Sequence, residues 1–323
     1  MKKAVILFNL GGPDKLENVE PFLFNLFNDP AIISIPTIFR LPLAKLISKR
    51  RAPIAKNIYK EIGNKSPILE LTQGQAKSLE DSLLKKGDYK CFVIMRCWHP
   101  RAENVIKEVK EYNPEEIILL PLYPQYSAST SGSSIKEWND LCKKENYKVK
   151  TKTICCYPTE SNFLDSHANL IKKTIKNLEN KNFKLLFSAH GLPENKIKKG
   201  DPYQWQVEKT VEGIMSKLTN ENPDHIISYQ SRVGPLKWIG PSTDDIIIKY
   251  SKEKKGIVIV PVAFVSEHSE TLVELDIEYK KLAEKNGSSF YKRVPALGTE
   301  ENFIKGLTEL VTQKETRGNF VSS

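Results

Sequence analysis

Two stretches far apart in the chain, Ile117-Ile118-Leu119-Leu120-Pro121-Leu122 and Ile257-Val258-Ile259-Val260-Pro261-Val262, share one pattern: four apolar residues, a proline and a further apolar residue. A run that is apolar at every position has no polar face to offer water. It reads as a strand buried on both sides, the condition of a parallel sheet lying between helices. Further apolar runs bounded by turn residues recur at about 4–10, 90–96 and 148–156, and again at about 183–188, 225–229 and 288–293, with longer amphipathic stretches between them. Strands alternating with helices imply a parallel sheet covered by helices. The expected fold class is α/β: two similar doubly wound (Rossmann-like) domains with parallel sheets and a cleft between them. The expected boundaries are 1–158 and 159–300, with 301–323 forming a C-terminal helix and tail packed on the N-terminal domain.

Composition agrees with two cores. A chain of 323 residues, 40% hydrophobic and 27% charged, has room for two domains of about 150 residues. Its five cysteines, Cys91, Cys97, Cys142, Cys155 and Cys156, are odd in number and show no C-x-x-C spacing, which indicates neither a disulfide framework nor a thiolate metal site. A reducing, cytoplasmic compartment follows as the expectation. The opening MKKAVILFNLGGPD is too short an apolar run for a signal peptide and reads as a first strand. The most apolar later segment, Ile32 to Ile47, is interrupted by Pro36, Arg40, Pro42 and Lys45, so no membrane span is expected. The net charge of +10 suits nucleic acid, an anionic membrane or an acidic small molecule. The one compact basic cluster, Lys49-Arg50-Arg51, has no nucleic-acid-binding motif around it, which disfavours the first.

The chemistry concentrates in SEHSETLVELDIEY, where Glu270, Glu274 and Glu278 recur every fourth residue directly after an apolar strand. Like charges at that spacing on a helix cost about 0.2–0.5 kcal/mol per pair, and Glu267, His268 and Asp276 crowd in more ionisable groups. A solvated face is the plain reading of such a run. Its place beyond a strand's C-terminal end, where open α/β sheets bind ligands, makes it a site candidate. A π-turn would align the three glutamates further. A second strand end carries Ser188-Ala189-His190-Gly191-Leu192-Pro193, and His190 is expected to face these acids from the other half of the molecule. Imidazole opposed by carboxylates suits a borderline divalent metal such as ferrous iron and proton transfer near neutral pH. The loop from Tyr123 to Gly132 follows a strand and is rich in hydroxyls that could hold an anion. Neither G-x-G-x-x-G nor G-x-x-x-x-G-K-[ST] occurs, which argues against a nucleotide cofactor.

Together LFNLGGP, MRCWHP, YPQYSASTSGSS, SAHGLP, YQSRVGP and SEHSETLVELDIEY resemble the ferrochelatase family along nearly the whole chain. The resemblance implies insertion of ferrous iron into protoporphyrin IX, the last step of haem synthesis, on two Rossmann-like domains without a nucleotide. It assigns His190 and Glu270 to metal binding and acceptance of pyrrole protons, and Glu274, Glu278 and His268 to a proton or metal path. It places Arg51, Tyr59, Ser66, Arg96 and Tyr126 at the porphyrin. The segment Leu26 to Ile47 matches an apolar lip, which with the basic residues behind it suggests peripheral contact with the inner membrane. Cys97 stands where many relatives have tyrosine. No tightly bound cofactor is implied and no iron–sulfur cluster is expected, because the tail lacks cysteine and the serine-rich loop has Ala128. A coproporphyrin ferrochelatase, a cobalt or nickel chelatase and a non-enzymatic haem-binding protein are the competing readings.

Overall fold

The computed structural model describes residues 1–232, 234 and 236–313. Packing divides the chain into one unit of Met1–Cys156 with residues 307–313, and another of Tyr157–Gly306. The tail, 314–323, lies outside the described residues.

The first unit holds a parallel sheet of β1 (Lys2–Asn9), β2 (Asp88–Met95), β3 (Glu116–Pro121) and β4 (Lys150–Thr153), in the order β2-β1-β3-β4. The second holds β5 (Phe183–His190), β6 (His225–Gln230), β7 (Gly256–Pro261) and β8 (Tyr291–Arg293), in the matching order β6-β5-β7-β8. Both units are therefore doubly wound parallel sheets, as the alternation of runs implied. The two similar apolar stretches are β3 and β7, inner strands with every residue buried. They look alike because they fill the same place in the same design. The edge strands β4 and β8 are short and largely solvated, which limits exposed ladder edge.

In the first unit Ile6, Phe8, Ile94 and Leu119 pack with Val105, Ile106 and Val109 of the helix Ala102–Tyr112 and with Trp138 of the helix Ser133–Lys144. Each such fully buried aliphatic side chain contributes about 1.5–3 kcal/mol. The second unit repeats the device with Leu186, Ile257 and Ile259 against Ile246, Ile247 and Tyr250 of the helix Thr243–Lys252, joined by Leu275, Tyr279 and Ala283. The last helix, Glu301–Thr312, passes from the second unit into the first at Leu307. Within the first unit Lys152 Nζ donates to the carbonyls of Leu310 at 2.9 Å and Gln313 at 2.7 Å, answering acceptors that a helix C-terminus leaves open.

The helix Thr37–Lys60 buries small residues at every fourth position, Ala44, Ser48 and Ala52, before Tyr59, a spacing that keeps one face against its neighbours. Its other side leaves Ile38 (76%), Phe39 (65%), Leu41, Leu43, Leu46 and Ile54 exposed. An ordinary buried helix pair would not. Among the described residues no helix is long and apolar enough to cross a membrane.

In both sheets the chain winds outward from its first strand, then returns to that strand's other side. The carboxyl ends of β1 and β3, and of β5 and β7, flank these reversals, where open α/β sheets hold ligands.

Candidate active site

His190 closes β5 beside Gln230, the last residue of β6. The chain then turns through Gly191, where a Cβ would meet the Gln230 carbonyl at 3.0 Å and the Trp238 ring at 3.2 Å. A side chain there would press on both, so glycine eases the close passage. On the other side of the reversal, beyond β7, a helical segment begins at Glu270. His190 Nε2 lies 3.8 Å from Glu270 Oε1, and the two side chains are 39% and 29% exposed. Nδ1 of His190 is 2.7 Å from the Gly191 carbonyl oxygen. A carbonyl only accepts, so Nδ1 donates and Nε2 is the ring nitrogen that faces Glu270. That nitrogen can exchange a proton or, as a lone pair, bind a metal ion.

This arrangement corrects one expectation. The imidazole and the acids do not come from different halves; β5 and β7 are hydrogen-bonded neighbours in one sheet, so their ends adjoin inside the second unit.

Glu270–Glu278 is a π-helix. Glu274 sits one turn in and is held by four contacts. Gln230 Nε2 (3.0 Å) and Ser231 Oγ (2.5 Å) donate to Oε2, while the Ser231 N–H (3.0 Å) and the Tyr279 hydroxyl (3.1 Å) reach Oε1. Ser231 has a φ of 58°, uncommon for a residue with a side chain; this turn aims both of its donors at one carboxylate. Its Oγ also lies 3.3 Å from Glu270 Oε2, which links the two acids. Burial, and then the neighbouring charge of Glu270, raises the pKa of Glu274 above the usual carboxylate range, so it accepts a proton more readily than a solvated glutamate. Glu278 is exposed. The row thus grades from half-exposed Glu270, through sheltered Glu274, to solvent.

His268 has another task than extending that row. Its Nδ1 accepts the Glu270 N–H at 3.1 Å, and its ring stands edge-on to Phe264 with centroids 4.5 Å apart. Burial holds its pKa below the usual imidazole value. The neutral ring caps the helix start and so fixes the backbone of Glu270. Glu267 and Asp276, crowded with the others in sequence, are turned toward β8: Arg293 forks onto Asp276 at 2.6 and 2.8 Å and reaches Glu267 at 2.8 Å. Although burial alone would raise it, Arg293 and the hydrogen bonds bring the pKa of Glu267 below its ordinary value. These acids are neutralised as anchors.

The remaining candidates lie in the first unit. Arg51 is partly buried on the helix Thr37–Lys60. Tyr59 is buried in a cluster with Val19, Phe22, Cys97 and Trp98, so most of its ring is spent on packing. Ser66 is buried as well, its N–H donating to the Pro13 carbonyl at 2.8 Å, and a Cβ on Gly12 would come within 2.5 Å of it. Tyr126 is partly buried, with its hydroxyl 2.7 Å from where a Cβ of Gly132 would be. Arg96 differs from expectation. Its Nε donates to Ser133 Oγ at 2.8 Å, and its terminal nitrogens lie 3.1 Å from Glu137 and 3.0 Å from Asp29, so the guanidinium is engaged inside the unit. Gln230, Ser231 and Tyr279 are the site residues that sequence reasoning did not assign. The signal for the first two was position, because the register β5 to β6 brings them beside His190.

Among the described residues no group of three or more His, Cys, Asp or Glu side chains is arranged to hold a metal ion; the His190 and Glu270 pair offers two donors.

The fold is shared with solved chelatase structures. SirB from Bacillus subtilis with Fe3+ superimposes with a TM-score of 0.54 at 14% identity over 96% of this chain and 94% of that one. The sirohydrochlorin chelatase SirB from Bacillus subtilis subspecies spizizenii in complex with cobalt does so with a TM-score of 0.52 at 10% identity, over 95% and 92%. At such identities the likeness concerns the fold alone. The sequence decides the family. The ferrochelatase pattern matches residues 2–315, and the chain is 70% identical to the ferrochelatase of Pelagibacter ubique (strain HTCC1062) over 97% of its own length and 92% of that protein. It is 51% identical to that of Rickettsia felis, over 97% and 91%. The chain belongs to the ferrochelatase family.

Proposed function

We propose that His190 and Glu270 form the reactive pair of a ferrochelatase that inserts ferrous iron into protoporphyrin IX to give protohaem. Ferrochelatase-type metal insertion into a tetrapyrrole follows from family membership along nearly the whole chain. The observation that supports these two residues is the 3.8 Å approach of the His190 Nε2 to the Glu270 carboxylate at the sheet's reversal point, with Nδ1 turned to the Gly191 carbonyl.

A free porphyrin holds two pyrrole N–H protons where the metal must go, so insertion needs a base as well as a place for the incoming ion. Nε2 of His190 and Glu270 supply both, since imidazole and carboxylate accept protons and bind ferrous iron. Protons taken up there pass to Glu274, whose raised pKa suits a relay, and leave by exposed Glu278. His268 positions Glu270 and Ser231 couples the two glutamates. Arg51 is assigned to a porphyrin propionate, because a guanidinium forks onto a carboxylate. The exposed row Ile38, Phe39, Leu41, Leu43 and Leu46, with Lys45, Lys49 and Arg50 on the same helix, suits peripheral contact with an anionic membrane, from which an apolar macrocycle would be taken up.

Anaerobic mixing with ferrous iron and either protoporphyrin or coproporphyrin, followed by the absorbance change on metallation, tests this. Turnover is expected with protoporphyrin. Turnover with coproporphyrin alone, or only with cobalt or nickel, would establish a competing chelatase; porphyrin binding without turnover would establish a binding protein.

A further inference from the structure

We propose that Cys155 and Cys156 form a hydroperoxide-reactive dithiol, a modification site separate from metal insertion, in which oxidation closes a disulfide between adjacent residues. In a strand, neighbouring side chains point to opposite faces, which would keep two consecutive sulfurs apart. Here the chain has just left β4: Ile154 makes the last ladder bond, its N–H to the Leu119 carbonyl at 2.9 Å, and beyond it the two Sγ atoms come to 3.2 Å, within hydrogen-bond distance for sulfur. Cys155 is partly exposed while Cys156 is 7% exposed. One thiol is thus open to a small reagent and the other waits behind it.

The pair also differs from the chain's other cysteines in electrostatics. The hydrogen bond with Cys156 lowers the pKa of the Cys155 thiol, against the opposing effect of burial. Burial pushes Cys97 up to about 12 and Cys142 up to about 11, and raises Cys91 as well. Because the thiolate is the nucleophile, Cys155 is the first to react. Its sulfur attacks one oxygen of hydrogen peroxide, breaking the O–O bond, and leaves a sulfenic acid and water. The sulfur of Cys156 then attacks the sulfenic sulfur, the S–OH bond breaks, and the departing hydroxide takes the Cys156 proton as a second water. Two thiols lose two electrons and two protons in total, and peroxide is reduced to two waters. Consecutive Cα atoms stand about 3.8 Å apart, closer than the about 4.4–6.8 Å usual for a disulfide, so the closed ring is strained and a dithiol reductant reopens it. An odd cysteine count does not conflict with this, since the bond is reversible and not part of a structural framework.

The test is limited oxidation of the full-length protein with hydrogen peroxide, followed by alkylation and mass spectrometry of the peptide that carries both residues. That peptide is expected to lose both alkylation sites together and two hydrogens in mass, to recover them with dithiothreitol, and to do so before Cys91, Cys97 or Cys142 changes. With Cys156→Ser, Cys155 is expected to stop at a sulfenic acid trapped by dimedone; with Cys155→Ser, the remaining cysteine is expected to stay alkylatable. Oxidation of another cysteine first, loss of one site without the other, or progress straight to sulfinic acid in the wild-type protein would overturn the proposal. The wild-type mapping decides the matter even where a variant does not fold, and it is independent of metal insertion.

Discussion

The two sheet reversals are built on one plan and differ in what stands on them. Phe8 pairs with Ile94 and Pro121 in the first unit as Ser188 pairs with Ser228 and Pro261 in the second. By that register Leu10 of Leu-Gly-Gly-Pro takes the place of His190 in His-Gly-Leu-Pro, and Arg96 takes the place of Gln230. In the first unit a guanidinium meets Asp29 and Glu137, and the charges close on themselves. In the second an imidazole, an amide and a serine face Glu270 and Glu274, and the acids keep part of their capacity for protons and cations. The same backbone therefore carries a closed ion-pair knot in one unit and the proposed reactive pair in the other, according to a few residues at the strand ends.

The comparison is broken most directly at the His190 side. His190→Ala is expected to lower anaerobic iron insertion by about 10²–10⁴-fold, the usual weight of a positioned acid–base group, with little change in the urea unfolding midpoint. A wild-type rate would remove the distinction between the two sites. At the structural side Arg96→Ala takes the ion-pair partner from buried Asp29, while Glu137 keeps Arg101 at 2.6 Å, and unfolding in urea is expected to show a loss of about 3–5 kcal/mol. If stability were unchanged while porphyrin binding failed, Arg96 would belong with the substrate after all.

Glu274 sharpens the contrast through pH. Its pKa is raised on folding, so the stability it contributes is complete in acid, below the ordinary value of about 4.3, and is lost as pH climbs through the elevated folded value. Glu274→Gln is expected to remove that part of the decline in a series of urea midpoints from about pH 4 upward; an unchanged slope would show that the carboxylate ionises as if solvated. The smallest effect is expected at Glu278→Gln, exposed at the end of the row, with stability within about 0.5 kcal/mol of wild type and turnover reduced less than at His190. A loss as deep as His190→Ala would place the chemistry further along the helix.

Much of this was legible in the residues because burial writes itself into composition. Inner strands such as Ile117–Leu120 and Ile257–Val260 must be apolar on both faces, and glutamates at four-residue spacing stand out against helix stability. Other parts depend on neighbours that are remote in sequence. Ser231 is an ordinary serine until a left-handed turn aims it at Glu274. Arg96 reads as a ligand-binding arginine until Asp29 and Glu137 arrive from elsewhere in the chain. His268 looks like one more ionisable group, yet its nitrogen is taken by a backbone N–H two residues on.

The residues alone determined the layered parallel sheets, the existence of two similar halves and the family, since periodicity and local motifs need no partner to be read. Only the tertiary structure decided that His190 and the acidic row rise from one sheet, and which carboxylates are neutralised by Arg293. Strand order and register bring together groups separated by tens of residues, and electrostatics depends on that distance in space, not on position along the chain.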